Sequence, residues 1–419
     1  MDSTIQQRQR RRMIFLCFVC CLVYFTSYMT RKSFSASLQP IMDDLGVART
    51  ALGLALTGSF VTYGIGQVVS GFLGDKLGPR VMIAIGLCGS GIVNLALTIA
   101  STPLMMGILL CINGFLQSMI WPPLVRAMSE NFSLSFYSHG TRVVLTASAC
   151  ATAVTYALVS LCTKYLTWQS VFFFTSALGI GIAVLWFLVY GKYEKEPVLP
   201  AEQTQKAAKA GEPVPKKESS ALAILLLSGG LAIMITTAFQ GFLRDGVEDW
   251  MPTFLSDVYH LETSGAVLSV AILPALTVAS YYFAAWMQKL THSVLGASFA
   301  IFGIGTVVCG LLILFYSASP VVGIVCFAVL SGLCHAINLL LTSSTAVYYR
   351  RTGHVSAISG MINACTYIGS SVSSYGIADF STKQSWSIVF FLLLAVMALG
   401  TLITAFAVRK WNCFAAQMQ

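Results

Sequence analysis

Apolar residues in this chain come in long unbroken runs. Twelve runs begin near residues 12, 50, 80, 103, 140, 167, 222, 264, 292, 319, 354 and 384. Each is roughly 18–25 residues long, the length a helix needs to cross the hydrocarbon of a bilayer. None alternates with the period of two that a transmembrane barrel strand requires. The pattern predicts an all-α polytopic membrane protein with twelve transmembrane helices in two six-helix bundles. The first bundle is residues 1–191 and the second is 221–419. Between them, residues 192–220 are rich in Lys, Glu, Ala and Pro with no apolar face. That composition predicts a solvated cytoplasmic linker. Small residues recur inside the runs, among them Gly64, Gly66, Gly71, Ala147, Ala149, Ala151, Gly360 and Gly369. They let membrane helices approach closely, in a channel as in a transporter.

Composition agrees. Hydrophobic residues make up 56% of the chain and charged residues 10%, with a mean hydropathy of +0.77. A soluble protein of this size could not cover its surface with so little charge. The net charge of +9 would suggest nucleic acid, but topology explains it better. With loops alternating between sides, nineteen lysines and arginines fall on the side of both termini and three on the other. The positive-inside rule then places both termini in the cytoplasm, with the lipid bilayer as partner and no nucleic acid. Met13–Thr30 lacks a small-residue cleavage site after it and reads as a signal anchor and first span. Of the 12 cysteines, all but Cys413 lie in apolar runs. Cys17, Cys20 and Cys21 have a metal-like spacing, but in such a helix cysteine is a small buried hydrophobe.

Two charges stand out. Arg31 ends the first apolar run and Arg244 ends the run that opens the second half. A charge at bilayer depth costs roughly 2.5–3.5 kcal/mol on insertion scales and usually faces a wet cavity. One cation from each half suggests a site for an anionic solute between two domains. Arg31 lies roughly 27 Å along its helix from Met13, so an arginine there could instead snorkel to the boundary. The scarcity of other cations on the outer side disfavours that. His335 and Asn338 lie in the tenth run; a single buried histidine is more often a packing residue than a proton relay. Tyr24, Tyr28 and Tyr63 could bond a sugar or phosphate, or simply pack. Asp245 and Glu248 are expected at a cavity mouth or in solvent.

The stretch Gly71-Phe72-Leu73-Gly74-Asp75-Lys76-Leu77-Gly78-Pro79-Arg80 between spans two and three resembles the loop motif of the major facilitator superfamily. Asp75 there can pair with Arg80 and latch one conformation. Within that superfamily the chain resembles the organophosphate:phosphate antiporter family. The likeness rests on Tyr28-x-x-Arg31-Lys32-x-Phe34, on Arg244-x-Gly246-x-x-Asp249-Trp250-x-Pro252-Thr253, on Trp121-Pro122-Pro123, and on Tyr367-x-Gly369.

The resemblance implies the superfamily's two-bundle fold and a monomer in the inner membrane. It implies a secondary transporter exchanging an organophosphate for inorganic phosphate by alternating access. Arg31 and Arg244 would clamp the phosphate from opposite domains, since a guanidinium fork matches phosphate oxygens. Lys32 and Asp249 would join a charge network across the interface, and Tyr28, Trp121 and Tyr367 would line the cavity. Two unpaired cations in the empty cavity would make unloaded crossing slow and exchange obligatory, without a proton. Departures bear on the solute: Gln67 stands where relatives have a lysine, Ala147-Ser148-Ala149 replaces a histidine-bearing triplet, and no Asp or Glu occurs between Glu262 and Asp379. The alternatives are a membrane sensor of hexose phosphate, a carrier of organic carboxylates, or a cation exporter that two cavity arginines disfavour. No nucleotide loop, metal motif or catalytic triad is legible, so neither an enzyme nor a cofactor is expected.

Overall fold

The computed structural model describes residues 3–195, 225, 229–317, 319–345, 348 and 355–418. The expected linker lies outside them apart from 192–195, which extend the sixth span to Lys195.

The first half comprises α1 (Ser3–Ala36), a short α2 (Leu38–Leu45), α3 (Arg49–Leu97), α4 (Pro103–Ser118), α5 (Trp121–Asn131), α6 (Leu134–Tyr165) and α7 (Trp168–Lys195). The second comprises α8 (Gly230–Tyr259), α9 (Thr263–Ser269), α10 (Leu273–Thr291), α11 (Val294–Phe315), α12 (Pro320–Asn338), α13 (Val355–Lys383) and α14 (Trp386–Met418). These make twelve passages: α3 supplies two, while α4–α5 and α9–α10 are each one broken passage. Nine stretches are long and apolar enough to cross a membrane among the described residues. The other three are the first leg of α3, α8 and α13, which carry more polar and small residues. Of these, α13 packs on both α8 and α3.

Where lipid cannot drive helices together, close backbone approach does. A Cβ at Gly369 of α13 would run into the Ala238 carbonyl of α8, and one at Gly241 into the Thr366 carbonyl. A Cβ at Gly53 of α3 would lie 2.7 Å from the Ser374 carbonyl of α13. Phenylalanines and leucines such as Phe406 and Leu104 point outward, as a lipid-facing surface requires.

The segment expected as a loop between spans two and three is a kink within α3. Gly78 adopts φ 71°, which a side chain would resist, and Pro79 follows it. Arg80, expected to pair with Asp75, is anchored on α7. Arg80 Nε donates to the Phe187 carbonyl at 2.8 Å, its guanidinium stacks 4.0 Å from the Phe187 ring, and Nη1 lies 3.6 Å from Glu194 Oε2. Gly191 makes room, since a Cβ there would lie 2.6 Å from Arg80 Cζ. Arg80 therefore ties the kink to α7; the side chain of Asp75 lies outside the described residues.

Three passages break where they face the interior. Pro122 and Pro123 start α5 after α4 ends at Ser118. A 3-10 turn, Val270–Ile272, precedes Leu273-Pro274 at the start of α10. α12 loosens into a π turn over Leu339–Ser344. Irregular backbone at membrane depth is tolerated where it lines a cavity.

The halves meet most closely at the face away from the termini. There Arg49 Nη2 pairs with Asp257 Oδ2 at 2.6 Å, Thr263 Oγ1 donates to Asp43 Oδ2 at 2.7 Å, and Ser160 Oγ donates to the Ser264 carbonyl at 2.8 Å. Thr57 Oγ1 donates to the Ser371 carbonyl at 2.8 Å nearer the middle.

Candidate functional site

Below that sealed face lies a cavity of about 140 Å³, whose lining runs from mid-membrane toward the face bearing the termini. Both halves contribute. Tyr24, Tyr28, Tyr63, Trp121, Thr141 and Ser148 come from the first; Arg244, Glu248, Tyr281, His335, Asn338 and Tyr367 come from the second. The backbone breaks explain part of this: Trp121, Pro274, Asn338 and Thr342 reach the cavity from the interrupted passages.

Arg31 sits behind the cavity's aromatic wall. Its guanidinium carbon is 4.7 Å from the Tyr63 ring centroid, 5.5 Å from Tyr367, 5.7 Å from Tyr28 and 5.9 Å from Phe60. Tyr63 and Tyr367, from opposite halves, have centroids 4.4 Å apart. Ring faces attract a cation, so this cage holds the charge without neutralising it. Among the described residues no carboxylate lies within ion-pair distance of Arg31. The turn before it is anchored by polar side chains: Asn94 Nδ2 donates to the Thr30 carbonyl at 3.0 Å and Gln117 Nε2 donates to Thr30 Oγ1 at 2.7 Å.

Arg244 lines the cavity and is engaged. Its Nε and Nη2 donate to Asp245 Oδ1 and Oδ2 at 2.9 and 2.8 Å, a two-pronged pair between sequence neighbours. Ser370 Oγ donates to Asp245 Oδ2 at 2.6 Å. The expectation of two unpaired cations is corrected accordingly: the fork of Arg244 is already held, and Arg31 alone of the two lacks a carboxylate.

Lys32, next to Arg31 on α1, reaches across the interface into α8. Its Nζ lies 2.9 Å from Asp249 Oδ1, 3.3 Å from Glu248 Oε2 and 4.0 Å from Asp245 Oδ1. Lys32 is 4% exposed and Asp249 1%, so each needs the other; an unpaired buried charge is costly. Among the described residues Asp249 Oδ2 has no hydrogen-bond partner, and the 4.0 Å contact is long, so the cluster can re-pair after small shifts.

Glu248 is the centre that the sequence reading missed. It lies buried beside the cavity, not in solvent or at its mouth, and so does Asp245. Beyond Lys32 it accepts from Ser331 Oγ at 2.9 Å, and its Oε1 lies 2.7 Å from His335 Nε2. Tyr156 OH donates to its backbone carbonyl at 3.0 Å. His335 is thus a member of the charged cluster. The available signal was the four-residue spacing of Arg244 and Glu248, which places both on one helix face. What brings His335 to Glu248 is the packing of α12 on α8.

Of the residues expected at the site, Tyr28, Trp121, Tyr367 and Arg244 line the cavity. Arg31, Lys32 and Asp249 lie just behind its wall. Gln67 does not line it, and its Nε2 is buried without a hydrogen-bond partner among the described residues.

The chain matches the family model described as Major Facilitator Superfamily over residues 20–374. It is 32% identical over 248 residues to the glycerol-3-phosphate transporter of Bacillus subtilis (strain 168), covering 56% of this chain and 55% of that one, so the match spans about half of that relative. It is 24% identical over 411 residues to a probable hexose phosphate transport protein of Chlamydia pneumoniae, covering 93% and 89% of the two chains. It is 23% identical over 391 residues to the membrane sensor protein UhpC of Escherichia coli (strain K12), covering 90% and 88%. Among solved structures, a bacterial homolog of the human lysosomal transporter Spinster, in an inward-facing and occupied conformation, superposes with a TM-score of 0.68 at 13% identity, covering 96% and 95%. Two six-passage halves around a shared central cavity and a family match over most of the chain lead to one conclusion: this protein belongs to the Major Facilitator Superfamily.

Proposed function

We propose that this protein carries a phosphate-bearing organic anion across the membrane by alternating access, with inorganic phosphate as the counter-solute. The observation that carries the reading is the placement of Arg31 and Arg244, one from each half, at the closed end of the cavity. Arg244 faces the cavity directly. The Arg31 charge is caged by aromatic rings, three of them from cavity-lining tyrosines. A phosphate arriving at Arg244 would compete with Asp245 for the fork, and Asp245 would move the short way to Lys32. Turning of the tyrosine rings would then let the same phosphate reach Arg31. Drawing the two cations together over one anion draws the halves together, which is how binding would drive closure of the open side. The names of the relatives, a glycerol-3-phosphate transporter and probable hexose phosphate transporters, support a phosphorylated solute.

The orientation that fits the distribution of charge puts both termini and the open side of the cavity in the cytoplasm, in a bacterial-type inner membrane, with the protein acting as a monomer. A second reading is a sensor that binds such a solute without appreciable flux, favoured by the nearly full-length likeness to a membrane sensor protein.

The test is exchange of labelled phosphate by purified protein in liposomes preloaded with phosphate, competed by a panel of organophosphates and carboxylates. Exchange with organophosphates as the best competitors is expected. Binding without exchange would favour the sensor, and inhibition by carboxylates alone would overturn the phosphate site.

A further inference from the structure

Basic and apolar side chains meet in a recess on the outside of the first half. α1 carries Arg8, Arg10, Arg11 and Arg12 and has no acidic residue along its length. Among the described residues no carboxylate lies within ion-pair distance of Arg10. Just beyond these arginines α1 and α6 run side by side. The Ser133 amide lies 3.5 Å from Met13 Sδ, and Cys17 Sγ lies 4.0 Å from the Gly140 carbonyl. Glycine permits the approach, since a Cβ at Gly140 would lie 3.0 Å from the Phe132 ring and 3.6 Å from Cys17 Sγ. Beside this contact is a groove of about 710 Å³. Arg10 heads it on α1, His139 lines it from α6, and Ile14, Phe18, Cys21 and Val143 supply apolar walls. Ile14, Phe18 and Val143 are exposed, as groups facing a bilayer are. The same two helices line the central cavity with other residues, Tyr24 and Tyr28 of α1 and Ser148 of α6.

We propose that this groove binds an anionic phospholipid from the leaflet at the face bearing the termini, its phosphate on Arg10 and one acyl chain laid along α1. Charge sets the headgroup. An arginine fork matches two phosphate oxygens, and a basic cluster with no acidic residue beside it favours a lipid of net negative charge over a zwitterionic one. Shape sets the tail. The helix from Arg10 to Cys21 rises roughly 16 Å at about 1.5 Å per residue, close to half of a ~30 Å hydrocarbon core. A soluble phosphate would leave that apolar length unfilled. The His139 ring can donate a hydrogen bond to an ester carbonyl of the same lipid. Because α1 also carries Arg31 and Lys32, a lipid seated between α1 and α6 braces the helix that presents both cations.

The experiment uses the purified full chain in detergent–lipid micelles, with phosphatidylglycerol that carries a photoreactive diazirine in one acyl chain. After illumination the labelled peptides are mapped by mass spectrometry. Label is expected on residues 13–21 of α1 and 136–143 of α6. Unlabelled phosphatidylglycerol should compete, whereas phosphatidylcholine and soluble glycerophosphate should not. At subsaturating lipid, Arg10→Gln should lower the labelling at least about fivefold, the scale of one lost charge-assisted hydrogen bond. Arg11→Gln removes the same charge from a separate recess beside Tyr193 of α7. It should change the labelling by less than about twofold, as a charge attracting lipid only through the general surface field does. Size exclusion checks that both variants fold, and the competition arm needs no variant. Label spread evenly over the outward-facing helices, or equal competition by phosphatidylcholine, would overturn the proposal. So would equal losses from the two variants, which leave only a diffuse basic surface. Competition by glycerophosphate as strong as by the lipid would overturn it too, because the apolar groove would then contribute nothing.

Discussion

Replacing Arg31 with lysine keeps the charge and removes the fork. The rings of Tyr28, Phe60, Tyr63 and Tyr367 surround the guanidinium at 4.7 to 5.9 Å, and they accept an ammonium about as well, so folding should survive. What lysine cannot do is present two parallel N–H groups to two oxygens of one phosphate. A hydrogen bond to a charged group contributes about 1.5–3 kcal/mol net, and about 1.4 kcal/mol is tenfold in affinity. Losing one such bond should therefore raise the phosphate concentration for half-maximal exchange by about 10- to 100-fold. The assay is initial-rate exchange in preloaded liposomes over a phosphate titration, with insertion checked by size-exclusion of the detergent-extracted variant. A half-saturating concentration within about threefold of the parent would refute the argument, because each hydrogen bond lost from a phosphate clamp must be visible on this scale.

Further expectations concern the scaffold. Lys32→Met strands Asp249 in a buried setting and removes one partner of Glu248, and should destabilise the protein by about 3–5 kcal/mol. Asp249→Asn in the same chain should recover part of that loss, as read by thermal unfolding in detergent; additive losses would show that the pair is not coupled. Gly369→Val should abolish the monodisperse peak, because its side chain meets the Ala238 carbonyl, whereas Gly360→Val, with open space around it, should not. Equal behaviour of the two would contradict the packing of α13 on α8.

Much of this architecture is legible in the sequence because a bilayer imposes simple rules. Run length fixes the passages, and a cation in an apolar run marks where water or an anion must go. Lys32 and Asp249 could be placed near the interface on the strength of a resemblance. The partnerships were harder. Asp245 and Glu248 look solvent-bound beside Gly246 and Trp250 in a polar stretch, yet α8 is buried almost throughout that stretch, so its charges must find partners inside. Ser331 and His335, which meet Glu248, come from α12, and Ser370, which meets Asp245, from α13, far away in sequence and with no pattern that announces the meeting. Arg80 shows the same limit. Past the Gly78 kink it meets Phe187 and Glu194 of α7, partners more than a hundred residues away. The cavity's shape also escaped periodicity, because it is built by interruptions: Pro122-Pro123, the turn before Leu273-Pro274, and the π turn after Asn338.

The most direct test of the central claim is an experimental structure of the protein with inorganic phosphate bound. The account predicts phosphate at the closed end of the cavity, within hydrogen-bonding distance of both Arg31 and Arg244, with the Arg244 fork released from Asp245 and Asp245 moved to Lys32. Phosphate bound elsewhere while Arg244 and Asp245 remain paired would contradict it.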